Sequence, residues 1–134
     1  MMKKKNLPNL PVPTESEEQQ AIFAWASFSK GRYPELEMLF HIPNEGKRSY
    51  QTGARLGREG LKKGVPDICL PVPAGKYHAL FIELKRQDGT MKDVRKEQGE
   101  WIEQLMCHGN FACVCFGAEE AIETITQYVK MRRK

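Results

Sequence analysis

Residues 64–70 read GVPDICL and residues 81–85 read FIELK, so Asp67, Glu83 and Lys85 stand within or at the ends of otherwise apolar runs. Buried charges destabilise a fold unless they are paired, hydrogen-bonded or bound to a metal. Side chains alternate along a strand, which places Phe81, Glu83 and Lys85 on one face of this stretch and Leu80, Ile82 and Leu84 on the other. An ion pair alone accounts for Glu83 and Lys85. Asp67, at the start of a preceding strand, can come beside Glu83 through a hairpin, and two carboxylates at short range attract a hard divalent cation, Mg²⁺ or Mn²⁺. With an adjacent lysine, these are the parts that phosphodiester hydrolysis needs: a metal to polarise phosphate and acidify water, and a cation to align that water or steady the transition state.

Upstream, residues 46–64 read GKRSYQTGARLGREGLKKG and carry Lys47, Arg48, Arg55, Arg58, Lys62 and Lys63 against one acid, Glu59. That is the charge footprint expected for a polyanion such as a nucleic acid, although a solvated loop and helix face would carry the same charges. The chain as a whole, with 134 residues and a net charge of +4, fits one domain of ordinary globular composition. No apolar run approaches the ~18 residues that cross a bilayer, and no apolar region follows the basic start MMKKK, so no membrane partner and a cytoplasmic location are expected. The cysteines Cys69, Cys107, Cys113 and Cys115 form no CxxC pair; Cys113 and Cys115 share a strand face and read as small core hydrophobes rather than zinc ligands.

These residues need elements to position them. Residues 1–13 read as an extended or frayed arm, and Thr14 with Glu17 forms a T-x-x-E capping box that predicts a helix over 15–29, with Gly31 just past its end. EMLFHI, residues 37–42, predicts a strand closed by the turn PNEG; SYQTGARLGREG has weak helical character broken by glycines. DICLPV and HALFIEL predict two buried strands joined by the turn PAGK. KDVRKEQGEWIEQLMCHG predicts a helix capped by Gly109, FACVCF a strand, and GAEEAIETITQYV a final amphipathic helix before the basic tail at 131–134. Trp25 and Trp101 fall on apolar helix faces and read as core; His41 sits at a strand end, near the site at most. The order predicts a single mixed α/β domain over 14–130, helices packed around a central sheet.

Pro66 before Asp67, the hairpin spacing to Glu83 and the basic stretch upstream together make the PD-(D/E)-x-K nuclease arrangement. More specifically, the chain resembles the VRR-NUC domain family, the virus-type replication-repair nucleases, through EEQQAIFAWA, FHIPNEGKR, GVPDICLP, FIELK and EQGEWIEQL followed by Gly109, in that order. The resemblance spans roughly residues 14–130. It implies a restriction-endonuclease-like core, a mixed β-sheet flanked by helices, and a Mg²⁺- or Mn²⁺-dependent site acting on DNA. Solitary members resemble Holliday-junction resolvases and form homodimers, so branched DNA and a homodimer are expected in a bacterial or phage-infected host cell.

By the same resemblance, the metal-binding aspartate falls on Asp67, the second acid on Glu83 and the lysine on Lys85, with the Leu84 backbone carbonyl also facing the metal. The acid of the first helix falls on Glu15, four residues before Gln19 and reaching the metal possibly only through water, with Glu18 on much the same face left open. Gln98 matches a recurrent glutamine that hydrogen-bonds the site or the DNA; a solvated polar position is the plainer account. Asn44 and Lys47 lie where phosphate or metal-water contacts would be natural, with Arg48, Arg55, Arg58, Lys62 and Lys63 completing a nucleic-acid surface. The expected activity is a metal-dependent, structure-selective DNA endonuclease in replication, repair or recombination; the alternative is a DNA-binding module with a decayed site.

Overall fold

Thr14 opens the first helix through a reciprocal capping box: its hydroxyl accepts from the Glu17 N–H at 3.1 Å, and the Glu17 carboxylate accepts from the Thr14 N–H at 2.9 Å. The structure is a computed structural model that describes residues 10–43 and 50–133. In it α1 spans Glu15–Ser29. A short 3-10 helix, Pro34–Met38, follows, so the strand expected over 37–42 contracts to β1, Phe40–His41. Pro34 has the fixed φ of a first helical position, and the bonds from Leu36 N–H to Tyr33 O and from Leu39 N–H to Leu36 O wind the chain before it can extend.

Helix α2, Tyr50–Arg58, forms despite Gly53 and Gly57. The two apolar runs become β2, Ile68–Leu70, and β3, Leu80–Lys85, paired antiparallel with Ile68 opposite Ile82 and Leu70 opposite Leu80. The PAGK turn lies between them and is tied by a bridge from Ala74 to Tyr77. The next helix starts later than KDVRKEQ predicts. Thr90 and Asp93 close a capping box of their own around the 3-10 turn Met91–Asp93, and Val94 is extended, so α3 runs Lys96–Cys107. Gly109, at φ +89°, turns the chain into β4, Phe111–Phe116, and α4, Ala118–Lys130, completes the fold.

The sheet order is β1-β2-β3-β4, with β3 and β4 parallel and the other pairs antiparallel. One face carries Ile68, Leu70, Leu80, Ile82 and Leu84, which pack with Ile22 and Ala26 of α1 and Ile125, Tyr128 and Val129 of α4. Each large side chain buried there contributes about 1.5–3 kcal/mol. Cys115 lies in this core with Cys113 packed against it, their sulfurs 3.8 Å apart, as strand alternation predicts. Glu18 of α1 accepts from the Ala118 N–H at 3.2 Å, and Arg132 beyond α4 pairs with Glu35 at 3.2 Å, so α4 is tied to α1 at its start and to the 3-10 helix beyond its end. No helix among the described residues is long and apolar enough to cross a membrane.

Candidate active site

Carrying the β2–β3 register one residue further sets Asp67 opposite Glu83, on the face away from the apolar core. Asp67 is half-buried, and its Oδ2 accepts from the Leu84 N–H at 2.7 Å. Its carbonyl accepts from the Ile42 N–H at 2.7 Å and lies 2.9 Å from His41 Nδ1. A carbonyl only accepts, so in this bond His41 carries its proton on Nδ1. The short β1 strand thus serves to fix the main chain at Asp67.

Glu83 is only 2% exposed. Gln98 Nε2 donates to its Oε2 at 3.0 Å, while Gln98 Oε1 accepts from the Arg95 N–H at 2.8 Å, so one amide holds Glu83 against the first turn of α3. The ammonium of Lys85, itself 8% exposed, is 3.9 Å from the same Oε2. Glu83 Oε1 is buried with no partner among the described residues. Burial first, and then the Asp67 carboxylate, push the Glu83 carboxyl up to about 9, against the pull of Lys85. The orphaned oxygen lies on a carboxyl set beside a second one, Asp67. The donor set fits a hard divalent ion that takes one or two carboxylates and keeps its waters. Among the described residues no group of three or more His, Cys, Asp or Glu side chains is set to cage a metal, so backbone and water would complete the shell.

The structure separates the two acids of α1. Glu15 borders a cavity of about 150 Å³ together with Gln19, His41, Asp67 and Leu84, and also a second of about 470 Å³ that reaches Lys85 and Asp93. Glu18 is buried and turned to the N-terminus of α4, where a carboxylate offsets the helix dipole. Gly117, at φ +92°, leaves it room: a Cβ there would lie 2.9 Å from Glu18 Oε2. Glu18 therefore joins α1 to α4 and does not face Asp67.

Asp67, Glu83, Lys85 and Gln98 thus come together with Glu15 at the rim. The basic residues sit on other elements: Arg55 and Arg58 are exposed in the last turn of α2, with Arg55 paired to Glu59 at 3.3 Å, and Lys62 and Lys63 are exposed in the following turn. Asn44, Lys47 and Arg48 lie outside the described residues. His41, expected at a strand end near the site at most, holds the Asp67 main chain, and Arg95 is the contact that sequence reasoning missed. Asp67 is 26 residues from His41, so no spacing announced that bond, whereas Gln98 stands at the third position of α3, from which a glutamine reaches back to the N-cap N–H.

The profile of the VRR-NUC domain family matches residues 11–119. A solved structure described as a VRR_NUC domain protein is 31% identical and superposes with a TM-score of 0.76, covering 91% of this chain and 93% of that one. A search of the curated proteins returned no match. The matched span takes in every residue from the capping box of α1 to the start of α4, and with it Asp67, Glu83, Lys85 and Gln98. The chain belongs to the VRR-NUC domain family, a family of nuclease type.

Proposed function

We propose that the protein is a divalent-metal-dependent deoxyribonuclease that hydrolyses phosphodiester bonds in branched DNA, Holliday-junction-like structures included, during replication, repair or recombination. The observation that carries this reading is Glu83: a buried carboxyl, pushed up to about 9 beside Asp67, with one oxygen unpartnered among the described residues. A structural ion pair would not need the second carboxylate. Asp67 and Glu83 would hold Mg²⁺ or Mn²⁺, with the Leu84 carbonyl and, directly or through water, Glu15. Bound there, the ion would polarise the phosphate and make a water acidic enough to attack near neutral pH.

The chain's own groups do the positioning. Gln98 holds Glu83 Oε2, leaving Oε1 without a partner among the described residues; the Leu84 N–H fixes the Asp67 carboxylate, and Ile42 and His41 fix its main chain. The Lys85 ammonium, shielded from solvent, aligns the attacking water and offsets charge building on the phosphoryl oxygens. Lys47, Arg48, Arg55, Arg58, Lys62 and Lys63, with Asn44, take the DNA backbone, so affinity falls as salt rises. A homodimer, acting in the cytoplasm, presents two such sites to the two strands cut in a four-way junction.

The test is cleavage of an end-labelled four-way junction beside a flap, a duplex and a single strand, in Mg²⁺ or Mn²⁺, with wild type and Lys85→Ala. Wild type should cut the branched substrates first, leaving 5′-phosphates, and Lys85→Ala should be about 10²–10³-fold slower. Cutting by Lys85→Ala at the wild-type rate would remove Lys85 from the mechanism. Binding without cutting on every substrate would favour the decayed module.

A further inference from the structure

Trp101 reads as core in the sequence, yet it is only partly buried and lines a cavity of about 270 Å³ with Lys63, Glu97, Glu100 and Gln104. We infer that this cavity is a pocket for one unpaired nucleobase of the substrate strand, an inference that rests on the nuclease reading and extends it to how the substrate is held. Two placements favour it. Trp101 follows Gln98 by three residues on α3, less than one helical turn and roughly 4.5 Å along the axis, and Gln98 bonds Glu83. Lys63 precedes Asp67 by four residues, so each wall carries a residue close in sequence to one of the proposed centre.

The pocket is built into the fold. Gly64, at φ +87°, lies so close to α3 that a Cβ there would be 2.6 Å from the Glu97 carbonyl carbon. The turn is therefore seated on the helix and holds Lys63 across from the indole. The chemistry of the lining selects the occupant. Glu97 and Glu100 repel a phosphate, whereas carboxylates and the Gln104 amide accept from the exocyclic amino groups of cytosine, adenine and guanine. The indole offers a stacking face, which is how proteins hold unpaired bases without strict sequence choice. Lys63 can reach the phosphate that follows. A base within a duplex is stacked and paired and cannot enter, so the pocket favours DNA with a single-stranded or splayed nucleotide beside the cut.

Binding in EDTA tests this without any cutting. Labelled single strand, duplex of the same sequence, and single strand with abasic residues are titrated with the full chain as wild type, Trp101→Ala and Trp101→Phe. Trp101→Ala should bind the single strand about 5- to 150-fold more weakly and the duplex unchanged; Trp101→Phe, which keeps a ring, should stay within about threefold of wild type. Wild type should bind the abasic strand as weakly as Trp101→Ala binds the normal one. The chain has two tryptophans, so in Trp25→Phe the remaining indole reports directly, and single strand but not duplex should quench it even if Trp101→Ala fails to fold. Equal affinity of wild type and Trp101→Ala for single strand, or quenching by apolar peptide or self-association instead of DNA, would overturn the pocket. If Trp101→Ala loses single strand but wild type never cuts in Mg²⁺ or Mn²⁺, the nuclease reading alone fails.

Discussion

Replacing Glu83 with glutamine isolates the proton that the site holds. Glutamine keeps the shape and an oxygen for the Gln98 bond but cannot ionise. In the metal-free wild type the Glu83 carboxyl is raised from 4.5 to about 9. Below about pH 4.5 both the folded and unfolded chains hold this proton, and its full stabilisation is present. Between about pH 4.5 and 9 only the folded chain holds it, so stability is lost as pH rises, by about 1.4 kcal/mol per unit. From pH 4.5 to 7 the loss amounts to about 3 kcal/mol, and Glu83→Gln escapes it. Urea melts of both proteins in EDTA at pH 5, 6, 7 and 8, compared at equal m, give the difference directly. The gap should widen in favour of the variant as pH rises, and Mn²⁺ should then stabilise wild type at pH 7 far more than the variant. A difference that stays flat from pH 5 to 8 would refute the protonated carboxyl, and equal stabilisation by Mn²⁺ would place the cation elsewhere.

Gln98→Ala removes both the donor to Glu83 and the acceptor for the Arg95 N–H, so melts should show a loss of about 1–3 kcal/mol. Metal-dependent cleavage should fall while metal-free duplex binding holds, and wild-type kcat in this variant would remove Gln98 from the site. Gly64→Ala forces a Cβ to within 2.6 Å of the Glu97 backbone at a left-handed φ, and should cost about 1–3 kcal/mol by denaturant melting. A variant as stable as wild type would show that the turn is not seated on α3.

The parts of the fold that local chemistry determines were legible in advance. Thr14 and Glu17 are three residues apart and settle the start of α1 between themselves. Strict alternation in FIELK set Glu83 and Lys85 on one face, and the antiparallel pairing of the two apolar runs brought Asp67 across from Glu83. What was hidden depends on partners far along the chain. Glu15 and Glu18 share a helix face in the sequence, and only the Ala118 N–H, 100 residues away, draws Glu18 to α4. Gln98 could be a site residue or a solvated one by its sequence, and its burial at 5% exposure with its bond to Glu83 depends on how α3 packs on the sheet. Trp101 misled in the other direction, because an apolar helix face does not reveal whether a neighbour covers it. At the strand expected over 37–42, the error was local: the turn that Pro34 starts outweighed the β-propensity of Leu39, Phe40 and Ile42.

The two links to α4 also orient whatever is attached to the domain. Glu18 meets Ala118 near the start of both helices, and Glu35, in the 3-10 helix that follows α1, meets Arg132 past the end of α4. Helix α4, at 13 residues, carries the chain about 20 Å from the Glu18 end before Arg132 is reached. Glu15, by contrast, stands at the rim of the cavities beside Asp67 and Lys85. A tag, tether or fused module joined directly to Thr14 would start from the end of α1 that borders these cavities. The same module joined after Arg132 would hang from the opposite end, which makes that end the one to use for immobilising the protein or coupling it to a targeting domain while keeping the cavities open.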